Sequence, residues 1–204
     1  NSIIGFSQLL DMELYGKVEG DKNKEYLKVI QGSGEHLLSI INDILDISKL
    51  EAGKFDVHAE RFDPADLLES CAQLMESTAH EGGIKLTCKA EAARMMNDAR
   101  MLRQVVLNLL SNALKFTDEG GAVGVTGTSE NSHYLIRVSD TGIGMTEKQI
   151  DIALPPFGQV ENEYARKHSG AALALALVQR FMQKLGGTIA IQSIPDKGTT
   201  ITLT

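Results

Sequence analysis

The most constraining feature of the sequence is a long segment without proline, from Asp21 to Glu51, in which apolar or small residues recur at alternating steps of three and four. This spacing places them on one stripe of an α-helix, and the alternation is a heptad pattern. A helix with one apolar stripe must bury that stripe against another element. The seam positions are Leu27, Ile30, Gly34, Leu37, Ile41, Ile44 and Ser48.

A shorter stripe with the same spacing precedes this segment, at Ile3, Phe6 and Leu10. The polar, glycine-containing stretch 16–21 separates the two stripes, so we predict an antiparallel helical hairpin. A hairpin alone leaves its apolar stripe exposed to water. Either a second copy completes a four-helix bundle as a dimer, or the hairpin folds back on the rest of its own chain.

The helical pattern ends near Ala52, and residues 53–63 read as an extended linker before Pro64 begins the next helix. We therefore predict a hairpin domain over 1–52 and a second domain over 53–204. The second domain alternates helices with mostly antiparallel strands, which predicts an α+β fold with helices on one face of a sheet. The predicted helices are Pro64–His80, Asp98–Leu114, Glu147–Ala153 and Ala172–Leu185, and the strands are Ile84–Lys89, Ala122–Thr128, Tyr134–Ser139 and a final hairpin of Thr188–Ser193 with Thr199–Thr204.

Composition excludes several classes of protein. A formal net charge of -7 argues against a nucleic-acid surface, which needs clustered Lys and Arg. No apolar run approaches the roughly 20 residues of a membrane-spanning helix, so we expect no membrane contact from this chain. Cys71 and Cys88 stand alone without a C-x-x-C pairing, which predicts two half-buried thiols in a reducing cytoplasm.

Three polar residues share one face of the predicted Asp98–Leu114 helix and its end. Asn108, Asn112 and Lys115 follow each other at steps of four and three, while apolar residues cover much of the rest. Amide oxygens can hold a hydrated Mg²⁺, and an ammonium can meet phosphate. A purely structural polar face is the alternative.

A carboxylate and two glycines, Asp140, Gly142 and Gly144, follow the predicted strand Tyr134–Ser139. A carboxylate at a strand end can accept a hydrogen bond from an exocyclic amine such as that of adenine, and the glycines allow a tight turn under a flat ring. Because Asp and Gly also occur in ordinary turns, a plain turn is the alternative.

The loop over 155–170 ends in the basic residues Arg166 and Lys167, just ahead of a predicted helix. Cationic side chains at a helix N-terminus suit a polyphosphate, because the free backbone N–H groups and the helix dipole also favour negative charge there. A solvated run of charges is the alternative.

Taken in this order, the segments resemble the N, G1, F, G2 and terminal glycine boxes of histidine kinases of the GHKL ATPase superfamily. The resemblance covers essentially the whole chain, and the run from Leu102 to Thr117 is its most specific part. It implies a GHKL-type α/β sandwich with a mixed sheet covered by helices on one face. It also implies a protein histidine kinase that uses ATP and Mg²⁺.

The resemblance implies individual roles as well. Asn108 would ligate Mg²⁺, Asn112 and Lys115 would touch the phosphates, and Asp140 would read the adenine amine. Phe157 would anchor a mobile lid, and Thr199 would lie near the adenine. The full set implied to bind ATP is Asn108, Asn112, Lys115, Phe116, Asp140, Gly142, Gly144, Phe157, Arg166, Lys167, Gly170, Ala172, Leu173, Ala174 and Thr199.

The hairpin resembles the dimerisation and phosphotransfer domain of the same kinases. Residues 1–7 resemble those that follow the family's H-E-L-R-T-P-L box, so the resemblance places the phosphoacceptor histidine ahead of Asn1, and no catalytic residue is assigned to this chain. We therefore expect that the chain cannot phosphorylate itself on the usual residue. The implied partners are a second copy and the receiver domain of a response regulator. The implied location is cytoplasmic, in a parent protein that is free to be membrane-anchored.

The lid departs from the family pattern. Where the family has G-T-G-L-G-L, this chain has Gly170, Ala171, Ala172, Leu173, Ala174 and Leu175. A Cβ in place of the second and third glycines crowds the approach to the triphosphate, and alanine favours helix, so we predict weakened ATP binding. The alternative function is a nucleotide-poor pseudokinase scaffold that docks a response regulator. A gyrase-like or chaperone-like ATPase is disfavoured, because the hairpin precedes the domain.

Overall fold

A computed structural model describes residues 2–13, 16–18, 20–51, 56–153 and 171–204. The chain divides into two compact units, Asn1–Ser48 and Lys49–Thr204. The predicted domain boundary between residues 52 and 53 lies outside the described residues and stays a prediction. None of the helices in the described ranges is both long enough and apolar enough to cross a membrane.

The first unit contains two helices, α1 (Ser2–Asp11) and most of α2 (Asp21–Glu51). A side-chain atom of Ile4 lies only 2.9 Å from where a Cβ would stand on Gly34, so this seam glycine lets the two helices approach closely. At the connecting loop Lys24 Nζ lies 2.9 Å from a carboxylate oxygen of Glu13. These contacts join the two helices that the heptad spacing predicts, and the helical hairpin is confirmed.

Large apolar side chains of this hairpin remain exposed in the single chain. Ile3 and Phe6 on α1 are each 67% exposed, and Leu37 and Ile41 on the α2 seam are 58% and 45% exposed. These side chains occupy positions of the two apolar stripes in the sequence, and the single chain leaves them in contact with water.

The second unit is built on a five-stranded sheet. Its strands, in spatial order, are β2 (Lys85–Ala90), β4 (Ala122–Glu130), β5 (His133–Asp140), β7 (Gly198–Leu203) and β6 (Ile189–Ile194). The β2–β4 pairing is parallel and the other three pairings are antiparallel, so the predicted mixed sheet is confirmed. The helices of this unit are α3 (Pro64–Glu81), α4 (Ala99–Lys115), α5 (Glu147–Ala153) and α6 (Ala171–Leu185).

Helices cover one face of this sheet, as predicted. α3 packs against β2 and β4, α4 packs against β4 and β5, and α4 also contacts both α3 and α6. Alternate strand residues point toward the helices and are buried, which is the two-residue period of a half-covered sheet. The buried strand residues include Val123, Val125, Ile136, Val138, Ile201 and Leu203, and the buried helix residues include Leu68, Val106, Leu110, Leu177 and Phe181.

Two features of this unit differ from the predictions. The stretch predicted as a linker contains a strand, β1 (Glu60–Phe62), which pairs antiparallel with β3 (Met95–Asn97). Strands of three residues are too short to show a two-residue period in the sequence. Cys71 is fully buried rather than half-buried, and burial raises the pKa of its thiol to about 11.

Candidate functional site

The helix that carries the predicted amides, α4, begins at a buried carboxylate. Asp98 Oδ1 accepts hydrogen bonds from the backbone N–H groups of Arg100 and Met101, at 3.0 and 3.1 Å, and its Oδ2 accepts from the N–H of His58 at 2.9 Å. Burial alone would raise the pKa of Asp98, but these bonds and the Arg100 guanidinium hold that pKa at about 2. The start of α4 is therefore fixed by an ionised N-cap.

One side of α4 is apolar and buried, and the predicted polar residues line another side. Asn108, Asn112 and Lys115 are each half-buried at the margin of the packed face. The packed face buries Met101, Leu102, Val105, Val106, Leu109, Leu110, Ala113 and Leu114. The predicted helix start at Asp98 was one residue early, because that residue is the cap rather than the first turn.

The side-chain amide of Asn108 is only partly satisfied. Its Oδ1 accepts a hydrogen bond from Gln104 Nε2 at 3.2 Å, whereas its Nδ2 is buried and has no partner within the part of the chain that the structure describes. A buried polar group without a partner is uncommon and calls for a ligand, an ion or a water.

The last turn of α4 is where the helix meets the next part of the site. Lys115 Nζ lies 5.8 Å from the ring centroid of Phe116, and desolvation by burial lowers the pKa of this lysine. Phe116 closes the helix, since its N–H donates to the Asn112 carbonyl at 3.1 Å. The Phe116 carbonyl in turn accepts from the N–H of Ile143 at 3.2 Å, so the end of α4 is tied to the turn after β5.

Asp140 ends β5 and begins that turn. Its Oδ1 accepts from the N–H of Gly142 at 2.9 Å and from the N–H of Thr199 at 3.1 Å. No described residue hydrogen-bonds its Oδ2. Burial raises the pKa of Asp140, partly offset by the two N–H donors. The second carboxylate oxygen is therefore available to a ligand donor.

The two predicted glycines of the turn are required by the close approach of other backbone segments. A Cβ on Gly142 would collide with the Phe116 carbonyl, and one on Gly144 would collide with the Ile194 carbonyl. Gly144 also has φ +61°, a conformation that L side chains rarely adopt. Any other residue at either position would push the turn away from α4 or from the end of β6.

Ser193 is a residue of the site that sequence reasoning missed. It lies opposite Thr199 in the β6–β7 pairing, and its Oγ is 2.8 Å from Thr199 Oγ1. The same Oγ accepts the N–H of Met145 at 2.7 Å and lies 3.1 Å from the Gly198 carbonyl. A serine in a strand carries no sequence signal of this kind, because its partners become neighbours only through the strand register.

The structure thus joins the end of α4, the Asp140–Met145 turn and the start of β7 through a chain of hydrogen bonds. Four predicted lid residues, Phe157, Arg166, Lys167 and Gly170, lie outside the described residues. The backbone positions of Ala172, Leu173 and Ala174 lie in the first turn of α6, which begins at Ala171.

A helical hairpin followed in the sequence by a helix-covered mixed sheet, in which the end of α4 is hydrogen-bonded to the turn after Asp140, defines a class of signalling proteins that contain an ATPase-type domain. The family model described as "Histidine kinase-, DNA gyrase B-, and HSP90-like ATPase" matches residues 97–204, more than half of the chain. The "His Kinase A (phospho-acceptor) domain" model matches residues 1–53. The chain belongs to the bacterial sensor histidine kinases, with a dimerisation domain followed by a GHKL-type catalytic domain.

Curated relatives match the chain along its whole length. An uncharacterised sensor-like histidine kinase of Rhizobium meliloti is 38% identical over 100% of this chain and 39% of its own length. The non-motile and phage-resistance protein of Caulobacter vibrioides is 37% identical over 100% of this chain and 25% of its own length. The cell-division control histidine kinase PdhS of Brucella anthropi is 38% identical over 98% and 20%. The chain therefore spans well under half of the length of these relatives.

Solved structures share the fold. Full-length ShkA in complex with AMPPNP matches with a TM-score of 0.76 and 29% identity, over 98% of this chain and 41% of that chain. The Acinetobacter baumannii histidine kinase AdeS matches with a TM-score of 0.69 and 18% identity, over 100% of this chain and 95% of the AdeS chain. The histidine kinase ThkA in complex with the response regulator protein TrrA also matches with a TM-score of 0.69, at 19% identity over 99% of this chain and 56% of that chain.

Proposed function

We propose that this chain is the ATP-using portion of a two-component sensor histidine kinase, which transfers the γ-phosphoryl group of ATP to a histidine and then to an aspartate of a response regulator. The observation that carries the proposal is the hydrogen-bonded link between the Phe116 carbonyl and the turn after Asp140. This link connects a cationic helix end to a carboxylate whose Oδ2 no described residue hydrogen-bonds. The AMPPNP complex of the similar protein ShkA supports it.

In this proposal the two ends of the nucleotide meet opposite chemistry. Asp140 Oδ2 accepts from the exocyclic amine of adenine, while Gly142 and Gly144 keep the turn close beneath the base. Lys115 and Asn112 lie toward the phosphates. Desolvation lowers the pKa of Lys115, and an anionic phosphate beside it would restore the charged form. Phosphoryl transfer depends chiefly on such positioning and charge neutralisation.

Magnesium is assigned to Asn108. Its Oδ1, which accepts from Gln104 Nε2 at 3.2 Å, would be the ligand atom. The buried Nδ2, which has no partner in the described residues, is a donor and would meet a phosphate oxygen or a water. No group of three His, Cys, Asp or Glu side chains in the described ranges could hold a metal, so the other oxygens would come from the phosphates and water. Bound Mg²⁺ would neutralise phosphate charge, and the protein's own part is to orient the Asn108 amide.

The lid is assigned to residues 155–170 and the start of α6. Phe157 would anchor it, Arg166, Lys167 and Gly170 would face the phosphates, and Ala172, Leu173 and Ala174 would continue from them. This assignment rests on the family's motif order and on the N-terminus of α6, where free backbone N–H groups favour an anion.

Two protein partners follow from the hairpin. Its exposed apolar side chains fit a second copy of the chain, in a four-helix bundle. The complex of the structural neighbour ThkA with a response regulator supports a receiver domain as the second partner. A cytoplasmic location follows from the proposed substrates, since ATP and response regulators are found there.

A nucleotide-poor scaffold that docks a response regulator is the second candidate. The observation that favours it is the start of α6 at Ala171, which places Ala172 and Ala174 in regular helix where the family has glycines. Alanine stabilises helix by about 0.8 to 1 kcal/mol relative to glycine at each position. A stiffened α6 start would oppose the backbone rearrangement that a triphosphate needs.

Titration of a fluorescent ATP analogue in the presence of Mg²⁺ separates the two candidates. We expect measurable binding by the unaltered chain, and tighter binding by about tenfold in the double variant Ala172→Gly/Ala174→Gly. Ala176→Gly, in the same helix but beyond the motif and buried in the core, is the matched control and should only lower stability. Absence of binding at millimolar nucleotide in the unaltered chain and in the double variant would favour the scaffold.

A further inference from the structure

The hydroxyl group of Ser193 has three polar neighbours. Which of them can donate and which can accept a hydrogen bond decides where the single hydroxyl proton of Ser193 points. Oγ lies 2.7 Å from the Met145 nitrogen, 3.1 Å from the Gly198 carbonyl oxygen and 2.8 Å from Thr199 Oγ1. A serine hydroxyl offers one donor and two acceptor lone pairs. The Met145 N–H can only donate, and the Gly198 carbonyl can only accept.

One assignment satisfies all three contacts. Ser193 donates to the Gly198 carbonyl and accepts from the Met145 N–H, so its remaining lone pair must accept the proton of Thr199. If Ser193 donated to Thr199 instead, the Ser193 Oγ and the Gly198 carbonyl oxygen would lie 3.1 Å apart with no proton between them. An unmade hydrogen bond of this kind costs free energy that the first assignment avoids.

The consequence concerns Thr199, whose N–H is bound to Asp140 Oδ1. Its hydroxyl proton is committed to Ser193, so it can offer a ligand only oxygen lone pairs. Asp140 Oδ2, which no described residue hydrogen-bonds, is also an acceptor. Thr199 is two residues from Ile201 on β7, and Asp140 is two residues from Val138 on β5. Side chains two residues apart point to the same face of a strand. Because Ile201 and Val138 are buried on the helix-covered face, Thr199 and Asp140 lie on that face as well.

We infer that Ser193 is a specificity-determining residue, which fixes Thr199 as an acceptor so that the base site presents two acceptors and selects a purine with a 6-amino group over one with a 6-oxo group. The inference rests on the proposed nucleotide site and deepens it. A 6-oxo oxygen would face two acceptors, whereas an amine can donate to them directly or through water. Ser193 acts through Thr199 and is a positioning residue.

The test compares ADP with IDP, which differ at the purine 6-position, by isothermal titration calorimetry on the full chain. The unaltered chain should prefer ADP. In Ser193→Ala the freed Thr199 proton can turn to the 6-oxo group, and we expect the ratio of the IDP and ADP dissociation constants to fall about fivefold to tenfold. Ser193→Thr keeps a hydroxyl and should retain the preference.

Two further variants exclude a merely structural effect. Thr202→Val removes a hydroxyl from the other face of β7, opposite Arg137, and should leave the ratio unchanged. In Thr199→Val the ratio should no longer respond to Ser193→Ala, because the acceptor being controlled is gone. Loss of overall affinity in a variant, with the ratio intact, would reflect stability alone and would count against the inference.

The outcomes separate this inference from the proposed function. If the unaltered chain binds ADP and Ser193→Ala keeps the full preference over IDP, the inference is wrong and the nucleotide site stands. If Thr202→Val changes the ratio as much as Ser193→Ala, the inference is also wrong. If the unaltered chain binds neither nucleotide, the proposed function fails and the inference fails with it.

Discussion

At the scale of one residue, Asp140 is a proposed binding group whose ionised form is disfavoured by burial. Burial raises its pKa above the usual range of an aspartate, although two backbone N–H groups donate to its Oδ1. Because the folded state binds this proton more tightly than the unfolded state does, the associated stability is present below the unfolded pKa and is lost as the pH rises through the folded pKa.

Replacing Asp140 by Asn should therefore stabilise the nucleotide-free protein at pH 7, by about 1 kcal/mol or less, because an amide keeps an acceptor without the charge. The gain should shrink as the pH falls below about 4. ADP affinity should fall about tenfold or more, since the acceptor for the base is altered. Urea denaturation and calorimetry measure the two effects, with Glu76→Gln on the exposed side of α3 as the control. Unchanged ADP affinity would remove Asp140 from the base site.

At the scale of the element, α4 depends on its N-cap. The Asp98 pKa of about 2 lies below that of an unfolded aspartate. The stability it provides is present above the unfolded pKa and is lost as the pH falls from about 4 to about 2.

We expect Asp98→Ala to lower the free energy of unfolding by about 2 to 3 kcal/mol at pH 7 and to flatten its dependence on pH below about 4. Arg100→Ala removes only the exposed partner of the ion pair, with a side chain 65% exposed, and should cost about 0.5 kcal/mol or less. Urea titrations at several pH values measure both. Equal pH slopes in Asp98→Ala and the unaltered chain would show that the cap carries no such linkage.

The elements also show what the sequence can and cannot predict. The limits of α4 were predicted to within one residue, because apolar periodicity and a capping carboxylate are local signals. The three-residue strands β1 and β3 were missed, since they carry too few residues for a period. Within the site, Asn108 and Asp140 belong to motifs that are local in the chain. Ser193 does not, because its contact with Met145 depends on a strand register that only the folded sheet sets.

At the scale of the whole molecule, the exposed seam of the hairpin predicts a dimer. Leu37→Glu and Ile41→Glu together would place two charges on side chains that are 58% and 45% exposed in the single chain, in a surface proposed to be buried between copies. We expect sedimentation to show a dimer for the unaltered chain, and at least about a hundredfold weaker association for the double variant. Lys28→Glu, off the seam on α2, is the control. A strictly monomeric unaltered chain at high concentration would contradict the bundle.

The parallel pairing of β2 with β4 has a consequence for which parts of the site can move when a ligand binds. Parallel neighbours cannot be joined by a tight turn, and here the connection between them contains α4. The chain enters α4 from β3, which pairs with β1 in the two-stranded sheet, and leaves it towards β4 in the five-stranded sheet. Each end of α4 therefore leads to a strand of a different sheet, and a shift of the helix along its axis would strain the pairing in one of them. We expect Asn108 and Asn112 to hold their positions when a ligand arrives, and the adjustment to fall on other parts of the site.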